Sequence, residues 1–305
     1  MNDTYSTIEQ AAAKPSSTKG NFVAEGAFDV QAWSEKKQEG RKAAFALIDQ
    51  ATERVSQDRG VYQDFLDTMA KVSYHYSPSN ALLIFEQNPD ASKVLDFEAW
   101  KREGQMVKRG ERGIVILEPK DEYLKGDGST GINFDLKYLY DIKQTNSRYL
   151  VPRYPELGSL INALVANSPA SIQVKDELSG GAHAIFISAN NTICISRGLD
   201  DPTIFKALAL ELSHAYLADG NPEYNRTEND KSARDSAYVL CRRFGVDPKG
   251  LEPTSAPGSE KDSLQGVREE IGSVRLASKE ITTQMNKTLD ANKVKTQLRG
   301  GRDGR

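Results

Sequence analysis

The stretch Leu208-Ala209-Leu210-Glu211-Leu212-Ser213-His214-Ala215 gives the strongest indication of how the second half of this chain folds. Apolar residues surround one acid and one imidazole, and Asp201-Pro202 upstream is a helix-start signal. The sequence therefore predicts a helix from Asp201 to about Asp219. Because residues four apart share a helix face, His214 lies beside the position of Leu210, and Glu211 lies next to both.

This pattern resembles the active-site helix of a zinc peptidase that lacks one ligand. Such helices carry His-Glu-x-x-His, in which two imidazoles hold the ion and the Glu acts as general base on the bound water. Here Leu210 stands at the first His position, and its side chain has no lone pair to donate. We therefore expect no metal and no other cofactor, and we expect Glu211 to be a vestigial catalytic residue. The alternative is an ordinary apolar helix with a buried histidine.

Length and composition favour a soluble intracellular protein of two domains. The chain has 305 residues, with 38% hydrophobic and 27% charged residues, and a net charge of −3. Any contact with nucleic acid must therefore come from a local basic patch. The two cysteines, Cys194 and Cys241, form no disulfide framework, and both are predicted to be buried thiols in a protein of the reducing cytoplasm. No apolar run is long enough for a membrane helix, and the N-terminus lacks a signal peptide core.

The first half is predicted to be α+β. Residues 1–28 are expected to be a disordered lead-in. Periodicity and capping signals predict helices over 29–55, 61–72 and 78–87, and a short helix after Asp96 that carries Phe97 and Trp100. Strands are predicted at 114–117 and 136–142, with a glycine-containing loop over 120–131 between them.

The second half is predicted to hold helices over 157–165, 201–219 and 230–244, and a hairpin of 184–187 with 192–195. After a linker at 252–263, apolar residues recur three and four apart from Leu264 to Thr288, which indicates an amphipathic helix. Docking of this helix onto the rest of the chain is favoured over a separate coiled coil. Residues 293–305 form a basic tail whose Arg299-Gly300-Gly301-Arg302 is typical of single-strand binders.

The chain resembles the ArdC antirestriction family over about residues 35–250. The resemblance rests on an ordered set of short elements: Tyr76-Ser77, Asn80, Ile84, Gln87-Asn88-Pro89, Phe97 with Trp100, Val107-Lys108-Arg109-Gly110, Gly113-Ile114, Glu118-Pro119 and Asp141-Ile142-Lys143-Gln144-Thr145. The segment Asp230-Lys231-Ser232-Ala233 to Ala237-Tyr238-Val239-Leu240-Cys241 is similar to the family's acid-bearing helix.

The resemblance implies a plasmid- or phage-borne protein with two domains. It implies a single-stranded-DNA-binding domain at 29–147 and a zincin-like domain at 148–251, followed by the linker, helix and tail at 252–305. It also places Asp230 where a longer carboxylate completes the family's zinc site. His214 and Asp230 are therefore expected to be vestigial ligand positions.

A non-specific single-strand site needs cations for the phosphates and aromatic faces for the bases. Residues 101–112 hold five basic residues against two acids, a local excess of +3. The predicted contacts are Tyr74, Tyr76, Asn80, Gln87, Trp100, Lys101, Arg102, Lys108, Arg109 and Arg112. The alternatives are core packing for Trp100, Phe97 and the tyrosines, a helix-start role for Asn80, and a solvated helix face for Lys101 and Arg102.

Three functions follow from these observations. The first is a single-stranded-DNA-binding, antirestriction-like protein that carries an inactive zincin-like domain. The second is a zinc peptidase with an altered ligand set drawn from Glu211, His214, Asp230, Glu228 and His183. The third is an accessory protein that binds conjugation or host restriction proteins through 264–305. Without a metal, Glu211 is expected to be a structural carboxylate, hydrogen-bonded or paired with an arginine such as Arg197 or Arg234.

Overall fold

The structure, a computed structural model, describes residues 30–72, 74–147, 153–258 and 263–300. Contacts divide the chain into one unit of Met1–Arg54 with Ser79–Tyr149 and a second unit of Val55–Pro78 with Leu150–Arg305. The lead-in at 1–28 and the tail residues 301–305 lie outside the described residues. The α+β class is confirmed. The domain ranges stay predictions, because a division by contacts does not measure independent folding.

The first unit places helices beside one antiparallel sheet. It holds most of α1 (Val30–Gln57) and α3 (Pro78–Gln87), together with β1 (Val94–Asp96), α4 (Phe97–Arg102), β2 (Ile114–Leu124) and β3 (Thr130–Asp141). The strand order is β1-β3-β2, with Ile114 opposite Leu139 and Val94 opposite Asp141. Strand β2 is therefore an edge of this sheet.

The hairpin of β2 and β3 is longer than predicted, and the predicted loop over 120–131 is wrong. The strands pair as far as Leu124 and Thr130, although their register shifts between Pro119 and Glu122. The outer part of β2 is exposed on both faces, so its sequence lacks the apolar alternation that marks a half-buried strand. The three-residue strand β1 was not predicted, since it is too short to show a period.

The second unit combines one small mixed sheet with long helices. It contains α2 (Arg59–Lys71), α5 (Leu157–Ala166), β4 (Ser171–Lys175), β5 (Ala184–Ile187), β6 (Thr192–Ser196), α6 (Asp201–Ala218), α7 (Arg226–Phe244) and α8 (Leu264–Gly300). The strand order is β4-β6-β5, with β4 parallel and β5 antiparallel to β6. The β5–β6 hairpin is confirmed, whereas β4 was missed because it is largely exposed.

Helix α8 docks onto the second unit, as predicted, and runs beyond Thr288. It contacts α5, α6 and α7. Its apolar stripe is buried at Val267, Ile271, Val274, Ile281 and Met285. This burial explains the three- and four-residue spacing without a separate coiled coil.

Capping side chains fix the starts of α6 and α7. Asp200 caps α6 by accepting a hydrogen bond from the Thr203 amide at 3.0 Å. Asn225 caps α7 by accepting from the Thr227 amide at 2.9 Å, so this helix begins before the predicted Asp230. Arg226 therefore occupies the first position of α7.

Cys194 and Cys241 are buried, as predicted, and burial raises the pKa of the Cys241 thiol to about 12. Among the described residues, no helix is both long and apolar enough to span a membrane.

Candidate functional site

Glu211 is a buried carboxylate that three donors hold. Arg226 binds it in a bidentate pair, with Nη1 2.8 Å from Oε2 and Nη2 2.8 Å from Oε1. The backbone amide of Phe186 in β5 donates to Oε2 at 2.6 Å. Only 2% of the Glu211 side chain is exposed, and these donors replace the water that burial removes from the carboxylate. The carboxylate thus joins α6 to β5 and to the start of α7.

The arginine partner of Glu211 is neither of the two that the sequence suggested. Arg197 pairs with Asp176 at 3.1 Å, and Arg234 donates to the carbonyl of Gly250 at 2.8 Å. The signal that points to Arg226 is the sequence Asn225-Arg226-Thr227-Glu228, an N-cap with an acid three residues later. That signal places a guanidinium at the first position of the helix that follows α6.

His214 is also buried, in the same helix as Glu211. Its Nδ1 lies 2.9 Å from the hydroxyl of Tyr224. Its Nε2 is 3.5 Å from Oδ1 of Asp230 and makes no hydrogen bond within the described residues. Burial lowers the pKa of His214, and the positive charge of Arg226 lowers it further. His214 therefore fills space in the core of the second unit and forms one hydrogen bond there.

These residues do not fit a zinc ion. Leu210 offers no lone pair, and both oxygens of Glu211 already bind the guanidinium of Arg226. The other suggested ligands, Glu228 and His183, have exposed side chains and are not among the partners of Glu211 or His214. Within the described ranges, no three His, Cys, Asp or Glu side chains form a metal-binding group. The contacts around Glu211 are those of a structural ion pair.

In the first unit, Asn80 and Gln87 bind the backbone of the edge strand β2. The Asn80 amide donates to the carbonyl of Leu117 and accepts from its N–H, both at 2.9 Å. Gln87 does the same for Val115, at 2.8 and 2.9 Å. The two amides lie two turns apart on α3 and match backbone groups two residues apart on β2. The structure gives both predicted DNA contacts a structural role, and for Asn80 it is not the helix-start role.

Trp100 lies in the core of the first unit, in agreement with the packing alternative. Its side chain is 1% exposed, and its Nε1 donates to the carbonyl of Tyr140 at 2.8 Å. The expectation that Phe97 also packs in the core is wrong, because Phe97 is 46% exposed. Helix α4 has only six residues, and Trp100 occupies its inward face.

Tyr74 and Tyr76 belong to the second unit, whereas the five basic residues of 101–112 belong to the first. Both tyrosines are half-buried. The ring of Tyr74 lies 4.2 Å from that of His75 and 5.6 Å from the guanidinium carbon of Arg243. Arg275 donates to the backbone carbonyl of Tyr76. The tyrosines thus pack among residues of their own unit.

Residues 101–112, here called the basic segment, are exposed and well anchored. The backbone of Met106 exchanges hydrogen bonds with Asn146 at 2.8 and 2.9 Å, and the Lys108 amide donates to the carbonyl of Gln144 at 2.9 Å. Gly110, with φ +85°, is the third residue of a turn from Lys108 to Glu111. Arg109 therefore stands at the tip of a fixed turn.

All five cations of the basic segment are exposed, and its two acids have partners. Glu103 forms an ion pair with Lys93, and Glu111 accepts a hydrogen bond from Gln144 at 3.1 Å. Lys108 donates to the carbonyl of Lys143 at 2.8 Å, which leaves its charge uncompensated. Across the described residues, the side chains of Lys101, Arg102 and Arg109 form neither hydrogen bonds nor ion pairs. The segment is a positive surface on a chain of negative net charge.

Among the comparisons with known proteins, the one with solved structures finds a similar fold. No family model matches the chain, and no curated protein sequence matches it. The metal-free crystal structure of the antirestriction protein ArdC from R388 plasmid matches at a TM-score of 0.50 and 14% identity, over 79% of this chain and 98% of that one. Its Mn(II)-bound structure matches at a TM-score of 0.49 and 14% identity, over 78% and 98%. At this identity the similarity concerns the fold alone, and we conclude that this chain has an ArdC-like fold.

Proposed function

We propose that this chain is an antirestriction-like protein of a mobile element and that its first unit binds single-stranded DNA through the basic segment. The observation that carries the proposal is the set of five exposed cations at 101–112, in a chain whose net charge is −3. The similarity in fold to a plasmid protein named for antirestriction is consistent with this role.

The basic segment supplies the electrostatic part of such a site. Phosphates bound by lysine and arginine release counterions, so the affinity is independent of sequence and falls steeply with salt. Lys101, Arg102 and Arg109 have uncommitted donors, and the fixed turn presents Arg109 at its tip. Binding of a DNA strand there requires little rearrangement of the protein, because residues 142–146 already hold the backbone of the basic segment.

Phe97, which the sequence predicted to pack in the core, supplies an aromatic surface for stacking. Its ring is 46% exposed, and it lies four residues before Lys101 on α4, so the two side chains share a face of the helix. An aromatic face beside a cation is the arrangement that binds unstacked bases, and each stacked base contributes about 1–3 kcal/mol. We therefore add Phe97 to the proposed contacts in place of the buried Trp100.

In the second unit we propose a structural site without peptidase activity. The support is the bidentate contact between Arg226 and Glu211, which occupies the carboxylate that a peptidase would use as general base. The same contact weighs against a zinc peptidase with an altered ligand set.

Fluorescence anisotropy of a labelled oligothymidylate at about 50 and 200 mM salt tests the DNA-binding proposal. The substitution Lys101→Gln/Arg102→Gln/Arg109→Gln should weaken binding strongly at the lower salt. A control with the same loss of charge, Lys42→Gln/Lys175→Gln/Lys287→Gln, should bind almost as the wild type does. Equal weakening by both variants, or no binding by the wild type at low salt, would overturn the proposal.

A further inference from the structure

A cavity of about 310 Å³ in the second unit is lined with cationic side chains. It lies between the first half of α6, the middle of α7 and residues 249–251, and Leu210 forms part of its wall. Its polar lining includes Lys206, Arg234, Lys249, His183 and Thr203. The peptidase alternative drew on Glu211 and His183 of this lining, but none of the functions considered so far uses the cations Lys206, Arg234 and Lys249.

Two of these cations are fixed near each other by neighbouring carbonyl groups. Lys206 Nζ donates to the carbonyl of Lys249 at 2.9 Å, and Arg234 Nη2 donates to the carbonyl of Gly250 at 2.8 Å. Because these carbonyls are consecutive in the chain, the ammonium and the guanidinium converge on one short segment. Each uses one hydrogen there, out of three on the ammonium and five on the guanidinium, and keeps further donors for a ligand.

Neither cation has a carboxylate partner within ion-pair distance in the described part of the chain. Glu211 also lines the cavity, but Arg226 and the Phe186 amide already bind both of its oxygens. Three further acids lie beside the lining, and each accepts a hydrogen bond from a backbone amide: Asp200 from Thr203, Asp247 from Lys249 and Glu252 from Gly250. Hydrogen bonds from Thr203 lower the pKa of Asp200, and the charges of Lys206 and His183 lower it further.

We propose that this cavity binds a phosphate-type oxyanion, either inorganic phosphate or a terminal phosphate of a small nucleic-acid fragment. Two converging cations without carboxylate partners repel each other, and an anion between them removes that repulsion. A phosphate group carries a charge of about −1.5 to −2 and three acceptor oxygens, which suits the remaining donors of Lys206 and Arg234. The volume accommodates a phosphate with a small attached group beside the apolar side chain of Leu210.

Calorimetric titration of the full chain with sodium phosphate, at constant ionic strength, tests the site. The wild type should bind one equivalent, and sodium chloride should give no saturable heat. Lys206→Gln/Arg234→Gln should weaken the association at least about tenfold, because each position loses a charge-assisted hydrogen bond. The charge-matched control Lys175→Gln/Lys287→Gln should bind as the wild type does. No saturable binding by the wild type, or equal binding by the Lys206→Gln/Arg234→Gln variant, would overturn the proposal.

A second variant keeps every cation and so guards against a folding defect. Thr203→Glu places a carboxylate in the lining, near the start of α6, where an acid favours the helix. It should raise the thermal midpoint and abolish phosphate binding, because the new carboxylate occupies the cations. Undiminished phosphate binding by this variant would contradict the proposed position of the site.

A trinucleotide with or without a 5′-phosphate identifies the source of the bound group. Tighter binding of the phosphorylated form, lost in Lys206→Gln/Arg234→Gln, assigns the site to nucleic-acid ends. Equal binding of both forms with retained phosphate binding assigns it to free phosphate. Lys206→Gln/Arg234→Gln should leave the affinity for long oligothymidylate unchanged. This site and the proposed DNA surface of the first unit can therefore fail independently.

Discussion

Arg226 binds both carboxylate oxygens of Glu211, each at 2.8 Å, from the first position of the helix that follows α6. The pair places a permanent cation on the carboxylate that, in a peptidase helix, would act on metal-bound water. Since Glu211 also accepts from the Phe186 amide, one buried side chain links two helices and an edge strand. Loss of this pair should therefore change both the stability of the second unit and its affinity for metal ions.

Removing the guanidinium should destabilise the second unit more than removing an exposed arginine. Arg226→Met leaves a buried carboxylate without its counter-charge, and we expect the free energy of unfolding to fall by about 3 kcal/mol. Arg197→Met breaks an ion pair whose side chains are 69% and 95% exposed, and it should cost less than about 0.5 kcal/mol. Urea unfolding measures both. Adding Glu211→Gln to Arg226→Met should recover part of the loss, and equal stability of the two single variants would refute the structural role.

The wild-type chain, purified without a metal-affinity tag, should contain far less than one equivalent of zinc. Elemental analysis provides the measurement. Leu210→His/Arg226→Gln restores an imidazole at the first ligand position and frees Glu211, and His214 already lies 3.5 Å from Asp230. This double variant should bind Co²⁺ with a tetrahedral absorption spectrum, whereas Leu210→His alone should bind it more weakly. Stoichiometric zinc in the wild type would show that Arg226 does not exclude the ion.

Asn80 should matter for the stability of the first unit and not for DNA affinity. Asn80→Ala leaves the buried N–H and C=O of Leu117 without partners, at a cost of about 1–3 kcal/mol. Asn133→Ala, at an exposed position of β3, is the control and should change stability little. Denaturant unfolding and DNA titration separate the two roles. A loss of DNA affinity with unchanged stability would return Asn80 to the DNA contacts.

The second unit should lose stability on mild acidification through His214. Its pKa is lowered in the folded state, so the unfolded chain binds the proton first as the pH falls through about 6.5. The stabilisation present at pH 7 is therefore lost progressively toward the lowered pKa. His214→Gln should flatten the dependence of unfolding free energy on pH in this window, and His75→Gln, at an exposed position, should not. Identical pH profiles for the wild type and His214→Gln would contradict the burial of a neutral imidazole.

Local signals in the sequence predicted much of the secondary structure. Asp201-Pro202 marks the start of α6, and the spacing from Leu264 to Thr288 reports the buried face of α8. Strand β4 was missed because it is exposed and pairs with β6, which lies about twenty residues later in the chain. Its sequence, Ser171-Ile172-Gln173-Val174-Lys175, does alternate polar and apolar residues, but the run is only five residues long and Val174 is 56% exposed.

The candidate sites were predicted less well, because their contacts join residues that are distant in sequence. Asn80 was assigned to DNA, although its amide meets Leu117, 37 residues away. Arg226 was overlooked because the start of α7 was placed at Asp230 and not after Asn225. By contrast, the exposure of the turn at Lys108 to Glu111 followed from local chemistry, since a basic turn that contains glycine cannot be buried without partners.

The salt dependence of DNA binding tests the central claim most directly. The logarithm of the association constant for oligothymidylate should fall linearly with the logarithm of salt concentration, with a slope of about −0.7 per phosphate contact. Lys101→Gln/Arg102→Gln/Arg109→Gln should make this slope shallower by about 2, since it removes three contacts. Lys42→Gln/Lys175→Gln/Lys287→Gln should leave the slope unchanged. If the wild type and the first variant share the same slope, single-stranded DNA does not lie on the basic segment.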